Sequence, residues 1–96
     1  MKTFEEALEA ISKEADEVMV SKQKDYGPKN ILDCPVGAEL GVVVRLYDKL
    51  SRLANLLKSG KTPNNETIYD TYLDIRNYGQ ILMMVHKKIF GLPLKK

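Results

Sequence analysis

Apolar residues recur at steps of three and four along three separate stretches of this chain, and no stretch alternates apolar with polar residues. Steps of three and four place side chains on one side of an α-helix, whereas alternation is typical of a β-strand. Gly27-Pro28 and Ser59-Gly60 separate the stretches. The pattern therefore predicts an all-α chain of three helices, and its 96 residues are enough for one domain, residues 1–96.

The predicted helices run from about Thr3 to Lys22, from about Gly37 to Leu57, and from Thr62 to about Ile89. Thr3 and Glu6 have the spacing of a capping box, in which each side chain accepts a hydrogen bond from a free backbone N–H. The third helix opens with Thr-Pro, a pair typical of an N-cap and first helical position. Residues 24–37 form a connector longer than most links between helices.

The second predicted helix is apolar on more than one side. Seven residues form its core stripe: Val43, Leu46, Tyr47, Leu50, Leu53, Ala54 and Leu57. Val42, Val44 and Leu56 lie off that stripe. A helix that is apolar on several sides is buried by several neighbours, which one three-helix chain would struggle to supply. We therefore expect a homo-oligomer, a dimer or larger.

Composition excludes several classes of function. The net charge is only +2 and the lysines are dispersed, which argues against binding to nucleic acid. A single cysteine, Cys34, cannot form an internal disulfide, and nothing links it to the only histidine, His86. The acidic, amphipathic start does not resemble a signal peptide, and no apolar run is long enough to span a membrane. We expect a cytoplasmic protein with no membrane partner.

Acidic residues line one side of the third predicted helix at a spacing of four: Glu66, Asp70 and Asp74, followed by Asn77. At about 100° per residue they form one stripe, which could hold Mg²⁺ through oxygen ligands. The alternative is a solvated helix face. The stripe has no lysine or arginine four residues on, so it repels itself. Neutralising Asp70 and Asp74 is then expected to raise stability in the absence of metal.

The second helix carries Arg45, Asp48, Lys49 and Arg52 within two turns. These residues could form a ladder of ion pairs along the helix. Alternatively, Asp48 could join the metal carboxylates while the cations bind phosphate, for which the arginine guanidinium is well shaped.

In the connector, the segment KDYGPKN holds Lys24, Asp25, Tyr26, Lys29 and Asn30. An aromatic ring in such a loop can stack on a base.

The segments KDYGPKNI, VVRLYDKLSRLANLL and NETIYDTYLDIRNYGQI together resemble the small phage and bacterial proteins called nucleotide modification associated domain 1, often described as MazG-like. The resemblance covers residues 22–82. It implies an all-α, oligomeric protein of nucleotide metabolism in a phage setting. MazG-like enzymes use Mg²⁺ to cleave nucleoside triphosphates to monophosphate and pyrophosphate, with carboxylates from two helices. The spacing departs from theirs, since Asp48 stands alone in the second helix.

The leading hypothesis is therefore a Mg²⁺-dependent (d)NTP pyrophosphohydrolase, with Mn²⁺ as an alternative ion. Its predicted metal ligands are Asp48, Glu66, Asp70 and Asp74, of which Asp48, Asp70 and Asp74 are also the predicted catalytic residues. Its predicted substrate-binding residues are Lys24, Asp25, Tyr26, Asn30, Arg45, Lys49, Arg52 and Asn77, with Lys29 as a further phosphate contact. The alternatives are a nucleotide-binding or sequestering protein without catalysis, and an interaction module.

Overall fold

The computed structural model describes residues 1–96 and contains three α-helices and no strand. Helix α1 spans Phe4–Tyr26, α2 spans Ala38–Ser59 and α3 spans Ile68–His86. The prediction of a three-helix, all-α chain is confirmed. No helix combines the length and the hydrophobicity that crossing a membrane requires.

Helix α1 is longer than its sequence predicts. It continues for a full turn past Lys22 and ends at Gly27, whose φ of 84° favours glycine. Asp25 and Tyr26 therefore belong to the last turn of a helix, and not to a loop. At the other end the Thr3 hydroxyl accepts from the Glu6 N–H at 3.1 Å, as predicted. The Glu6 carboxylate reaches back to the N–H of Lys2.

The predicted start of the third helix at Thr62-Pro63 is wrong. Helix α3 begins at Ile68, and the Thr67 hydroxyl caps it by accepting from the Asp70 N–H at 3.0 Å. Glu66 comes just before this cap and stays outside the helix, where its carbonyl oxygen accepts a hydrogen bond from Arg52. The segment 61–67 is consequently an irregular connection. Asparagine side chains such as those of Asn64-Asn65 also compete with helical backbone hydrogen bonds.

Helices α2 and α3 form an antiparallel hairpin. Arg52 near the end of α2 contacts Thr71 near the start of α3, and Lys49 contacts Asp74 one turn further along. At the opposite end, Val42 packs with Ile31 and with Phe90, which folds back after α3 has ended. Helix α1 packs against α3 alone and makes no helix contact with α2.

The stripe predicted as the core of the second helix is only partly covered within the chain. The side of α2 that meets α3 carries Val42, Lys49 and Arg52. Val42, which lies off the predicted stripe, is fully buried, whereas Leu50 and Leu57 within the stripe are exposed. Only 7 of 96 residues are buried, and the apolar periodicity of α2 marks a surface that this single chain leaves partly exposed.

Candidate functional site

A cleft of about 560 Å³ lies where the end of α1, the connector after it, α2 and α3 meet. Its volume is within the range of about 300–1,000 Å³ that is typical of small-molecule sites. Six residues predicted from sequence as site residues line it: Asp25, Tyr26, Asn30, Arg45, Asp74 and Asn77. The structure therefore gathers into one cleft residues that the sequence spreads over three helices and a connector.

Asp74 is the centre of the charged contacts in this cleft. Lys22 of α1 donates to Asp74 Oδ1 at 2.8 Å, and Lys49 of α2 lies 2.9 Å from Oδ2. The Asp74 side chain is only 13% exposed. Lys49 also contacts both carboxylate oxygens of Glu66, at 3.1 and 3.0 Å. Asp74 thus connects all three helices through two ammonium groups.

The charges in the cleft lower the pKa of Asp74 and raise the pKa values of Lys22 and Lys49. Burial tends to raise the pKa of Asp74, but the hydrogen bonds from Lys22 and Lys49 outweigh it and hold that pKa below its usual value. The hydrogen bond to Asp74 raises the pKa of Lys22. Burial works against the charge on Lys49, yet Asp74 and Glu66 raise its pKa as well. All three groups are therefore held in their charged forms.

Below the cleft, Arg52 attaches α2 to the start of α3. Its guanidinium donates to the hydroxyl of Thr71 at 2.6 Å and to the Glu66 carbonyl oxygen. The Thr71 hydroxyl in turn lies 3.0 Å from Glu66 Oε1. Thr71 is fully buried, so its polar atom depends on these partners. Arg52, predicted as a phosphate contact, already has each of its two terminal nitrogens bonded within the chain.

Replacing Arg52 with methionine is expected to lower the free energy of unfolding by about 2 kcal/mol, because buried polar groups on α3 lose a charged donor. Urea denaturation at fixed protein concentration would measure this. Arg45→Met is the matched control, since Arg45 lies on the same helix and its side chain forms no hydrogen bond or salt bridge. Equal losses for both arginines would contradict the attachment role of Arg52.

Two amides of the predicted site also serve the fold. Asn77 is buried, donates to the Ala15 carbonyl oxygen at 3.1 Å and accepts from Arg76 at 2.9 Å. Asn30 donates to the Gln23 side chain at 3.1 Å and so ties the connector to α1. Both residues line the cleft, but the contacts of Asn77 hold α1 against α3.

Arg45, Tyr26 and Asp25 line the cleft without a side-chain hydrogen bond or ion pair. The Arg45 guanidinium is exposed and forms no ion pair or side-chain hydrogen bond within the chain, unlike Arg52 and Arg76. Tyr26 is exposed, and Tyr78 lines the cleft with it. A guanidinium without a partner is suited to a phosphate, and a phenol ring offers an aromatic face to a base.

As arranged, the acidic residues do not fit a divalent ion. The Lys49 ammonium lies between Glu66 and Asp74, and Lys22 takes the other oxygen of Asp74. No three His, Cys, Asp or Glu side chains are close enough together to hold a metal. Asp48 and Asp70 are exposed and do not line the cleft. The predicted metal set stays a prediction.

The two lysines predicted from the KDYGPKN segment lie outside the cleft. Lys24 lines an open depression of about 740 Å³ along the outer side of α1, which only residues of that helix form. Lys29 is exposed in the connector. Because α1 continues through Tyr26, the helical turn carries Lys24 to one side while Asp25 and Tyr26 reach the cleft.

Sequence reasoning missed several residues of the cleft, and Lys22 matters most among them because it contacts Asp74. A signal for it exists, since Lys22 falls on the same helical side as Phe4, Ile11 and Ala15. A lysine on an apolar stripe is a reason to look for a buried acid. The other missed residues that line the cleft are Met19, Gln23, Ile31, Tyr78, Ile81 and Phe90.

Comparisons of this chain with family models, with curated proteins and with solved structures find no match.

Proposed function

We propose that this chain is a cytoplasmic protein of nucleotide metabolism that binds a nucleotide in the cleft between α1, α2 and α3. The observation that carries the proposal is the joint lining of one cleft by Asp25 and Tyr26 from the KDYGPKN segment and by Arg45 and Asp74 from the other two segments that resemble the MazG-like proteins. Residues from all three segments that carry the resemblance therefore line one cleft.

Different residues of the cleft suit different parts of a nucleotide. Arg45 has no partner within the chain, so it can contact phosphate without breaking an existing bond. Tyr26 and Tyr78 provide aromatic surface for the base, and stacking of this kind contributes about 1–3 kcal/mol per base. Asp25 has a free carboxylate that can accept from the N–H groups on a base edge. Lys22 is already paired with Asp74, and an anionic ligand would compete for it.

Hydrolysis of a (d)NTP to monophosphate and pyrophosphate is the second candidate. It is the reaction that the resemblance implies, and Glu66 and Asp74 support it because both carboxylates lie within 3.1 Å of the same ammonium nitrogen. The acids are thus already near each other. Their present pairing with lysine favours binding of a nucleotide over its cleavage.

The test is incubation of the pure protein with a panel of NTPs and dNTPs, with Mg²⁺, with Mn²⁺ and without metal. Titration calorimetry measures binding, and ion-exchange chromatography identifies products. Saturable binding without turnover supports a binding or sequestering protein of the phage type, and release of pyrophosphate establishes the hydrolase. If no nucleotide binds at millimolar concentration under any of these conditions, the proposed function is wrong.

Arg45→Ala is expected to weaken nucleotide binding by about 10- to 100-fold, because a charged hydrogen bond contributes about 1.5–3 kcal/mol. Lys24→Ala is the matched control: it also removes one positive charge, but from the outer side of α1. Its affinity should change by no more than about twofold at moderate salt. A larger loss for Lys24→Ala than for Arg45→Ala would place the phosphates on the other side of α1 and contradict the proposed site.

A further inference from the structure

One side of the α2–α3 hairpin is an apolar surface of exposed and half-buried side chains. On α2 it carries Val43, Leu46, Leu50, Leu53 and Leu57, and Leu50 and Leu57 are 45% and 59% exposed. On α3 it carries Tyr72, Ile75 and Met83, of which Tyr72 and Met83 are 46% and 67% exposed. We call these eight residues the hairpin face. None of them is charged.

Helical geometry puts both rows of the hairpin face on the same side of the hairpin. On α2 the row is centred about 70° around the helix from the side that carries Val42 and Lys49 and faces α3. On α3, Tyr72 and Ile75 lie about 100° around from the side that carries Asp74 and Tyr78. The helices are antiparallel, so rotations in the same sense bring both rows to one side. Helix α1 packs against α3 beside this face, through Asp74, Arg76 and Asn77.

The spacing of the α2 row is that of helices that pair with helices. Val43, Leu46, Leu50, Leu53 and Leu57 follow one another at steps of three, four, three and four. Steps of this kind produce a straight seam that packs against another helix, as in coiled coils and helix bundles. Leu50 and Leu57 of this seam are exposed, because the side of α2 that faces α3 is the one that carries Val42, Lys49 and Arg52.

The chain exposes more surface than a compact monomer of its mass would. A compact monomer of this mass would expose about 5,600 Å². This chain exposes 7423 Å², which is about 1,800 Å² more. Its radius of gyration is also large, 15.0 Å, where about 12.5 Å is expected for a compact domain of this length. Stable homodimers bury about 800–2,500 Å² per partner, mostly apolar at the centre.

We propose that the partner is a second copy of this chain, which packs its hairpin face against the first to form a four-helix bundle around a two-fold axis. An apolar surface with a repeating seam suits pairing with a copy of itself, as a two-fold interface requires. The nucleotide cleft opens on the other side of the hairpin, so each copy keeps its own cleft. The proposal therefore does not rest on the proposed function, and either can fail alone.

The test is sedimentation equilibrium of the purified chain across micromolar concentrations. The expected mass is twice the 10.9 kDa of one chain. A single species of 10.9 kDa across this range would overturn the proposal, whatever any variant does. A dimer that persists unchanged in Leu50→Lys would also overturn it, because a charge at the centre of the seam cannot be buried there.

The matched control is Val44→Lys, on the same helix but on another side, where Val44 is 51% exposed. It should remain dimeric, while Leu50→Lys becomes monomeric and keeps its helical circular dichroism. If Leu50→Lys fails to fold, the milder Leu50→Ala decides: it should weaken dimerisation by about 30-fold or more. Val44→Ala should change it by about twofold at most. Equal effects of the two alanine variants would place the interface elsewhere.

Discussion

Replacing Asp74 with asparagine is expected to lower the free energy of unfolding by about 2–3 kcal/mol. The substitution keeps the shape of the side chain but removes the negative charge that Lys22 and Lys49 share. Two ammonium groups would then face a neutral amide in a place where the side chain at position 74 is only 13% exposed. Urea denaturation near pH 7, with both proteins at one concentration, measures the difference.

Asp70→Asn is the matched control for this substitution. Asp70 lies one turn earlier on α3, is exposed and has no side-chain partner, so the change should stay within about 0.5 kcal/mol. The sequence alone predicts that neutralising both acids raises stability. A rise in stability for Asp74→Asn would agree with that prediction and contradict the ion pairs of Asp74 with Lys22 and Lys49.

The same pairing predicts how stability depends on pH. The folded pKa of Asp74 lies below its unfolded value of about 3.9, so its contribution is full above that value and disappears as the pH falls through the folded pKa. The pKa values of Lys22 and Lys49 are raised, so their contribution is full below about 10.4 and disappears as the pH rises through the folded values. The stability difference between wild type and Asp74→Asn should therefore shrink as the pH is lowered from 6 to 2.

The number and type of helices could be predicted because apolar spacing is a local property. The start of α3 could not, because it depends on a contact from another helix: Arg52 holds the Glu66 carbonyl, so the cap is Thr67 and not Thr62. Periodicity also identifies residues that share a side of a helix without showing which side meets which neighbour. The sequence pattern therefore predicts Leu50 and Leu57 in the core of the chain, whereas the structure leaves both exposed.

The sequence predicts which residues line the candidate site better than it predicts how their charges pair. The acidic stripe on α3 has no cation four residues away, and on that basis it should repel itself. The cations come instead from distant parts of the chain: Lys22 is 52 residues from Asp74, and Lys49 is 17 from Glu66. Only the packing of three helices brings them together. A charge pattern along one helix therefore cannot decide between a metal site and a network of ion pairs.

Asn77→Ala is expected to lower the free energy of unfolding by about 2–3 kcal/mol and to loosen α1 in particular. The Asn77 amide donates to the carbonyl oxygen of Ala15, which is fully buried, and its oxygen accepts from Arg76. Helix α1 has no other helix to pack on than α3, so it depends on the few contacts along this line. Hydrogen exchange should become faster in α1 while the α2–α3 hairpin keeps its protection.

Asn55→Ala serves as the control for this loss, since it removes an amide of the same kind from an exposed position on α2. Exchange in α1 should then remain as slow as in the wild type. If Asn77→Ala instead accelerates exchange uniformly over all three helices, α1 is not a separately opening unit. Because Asn77 also lines the cleft, a detached α1 removes Lys22, Asp25 and Tyr26 from the site together. A stability defect at this residue should therefore also appear as a loss of nucleotide binding.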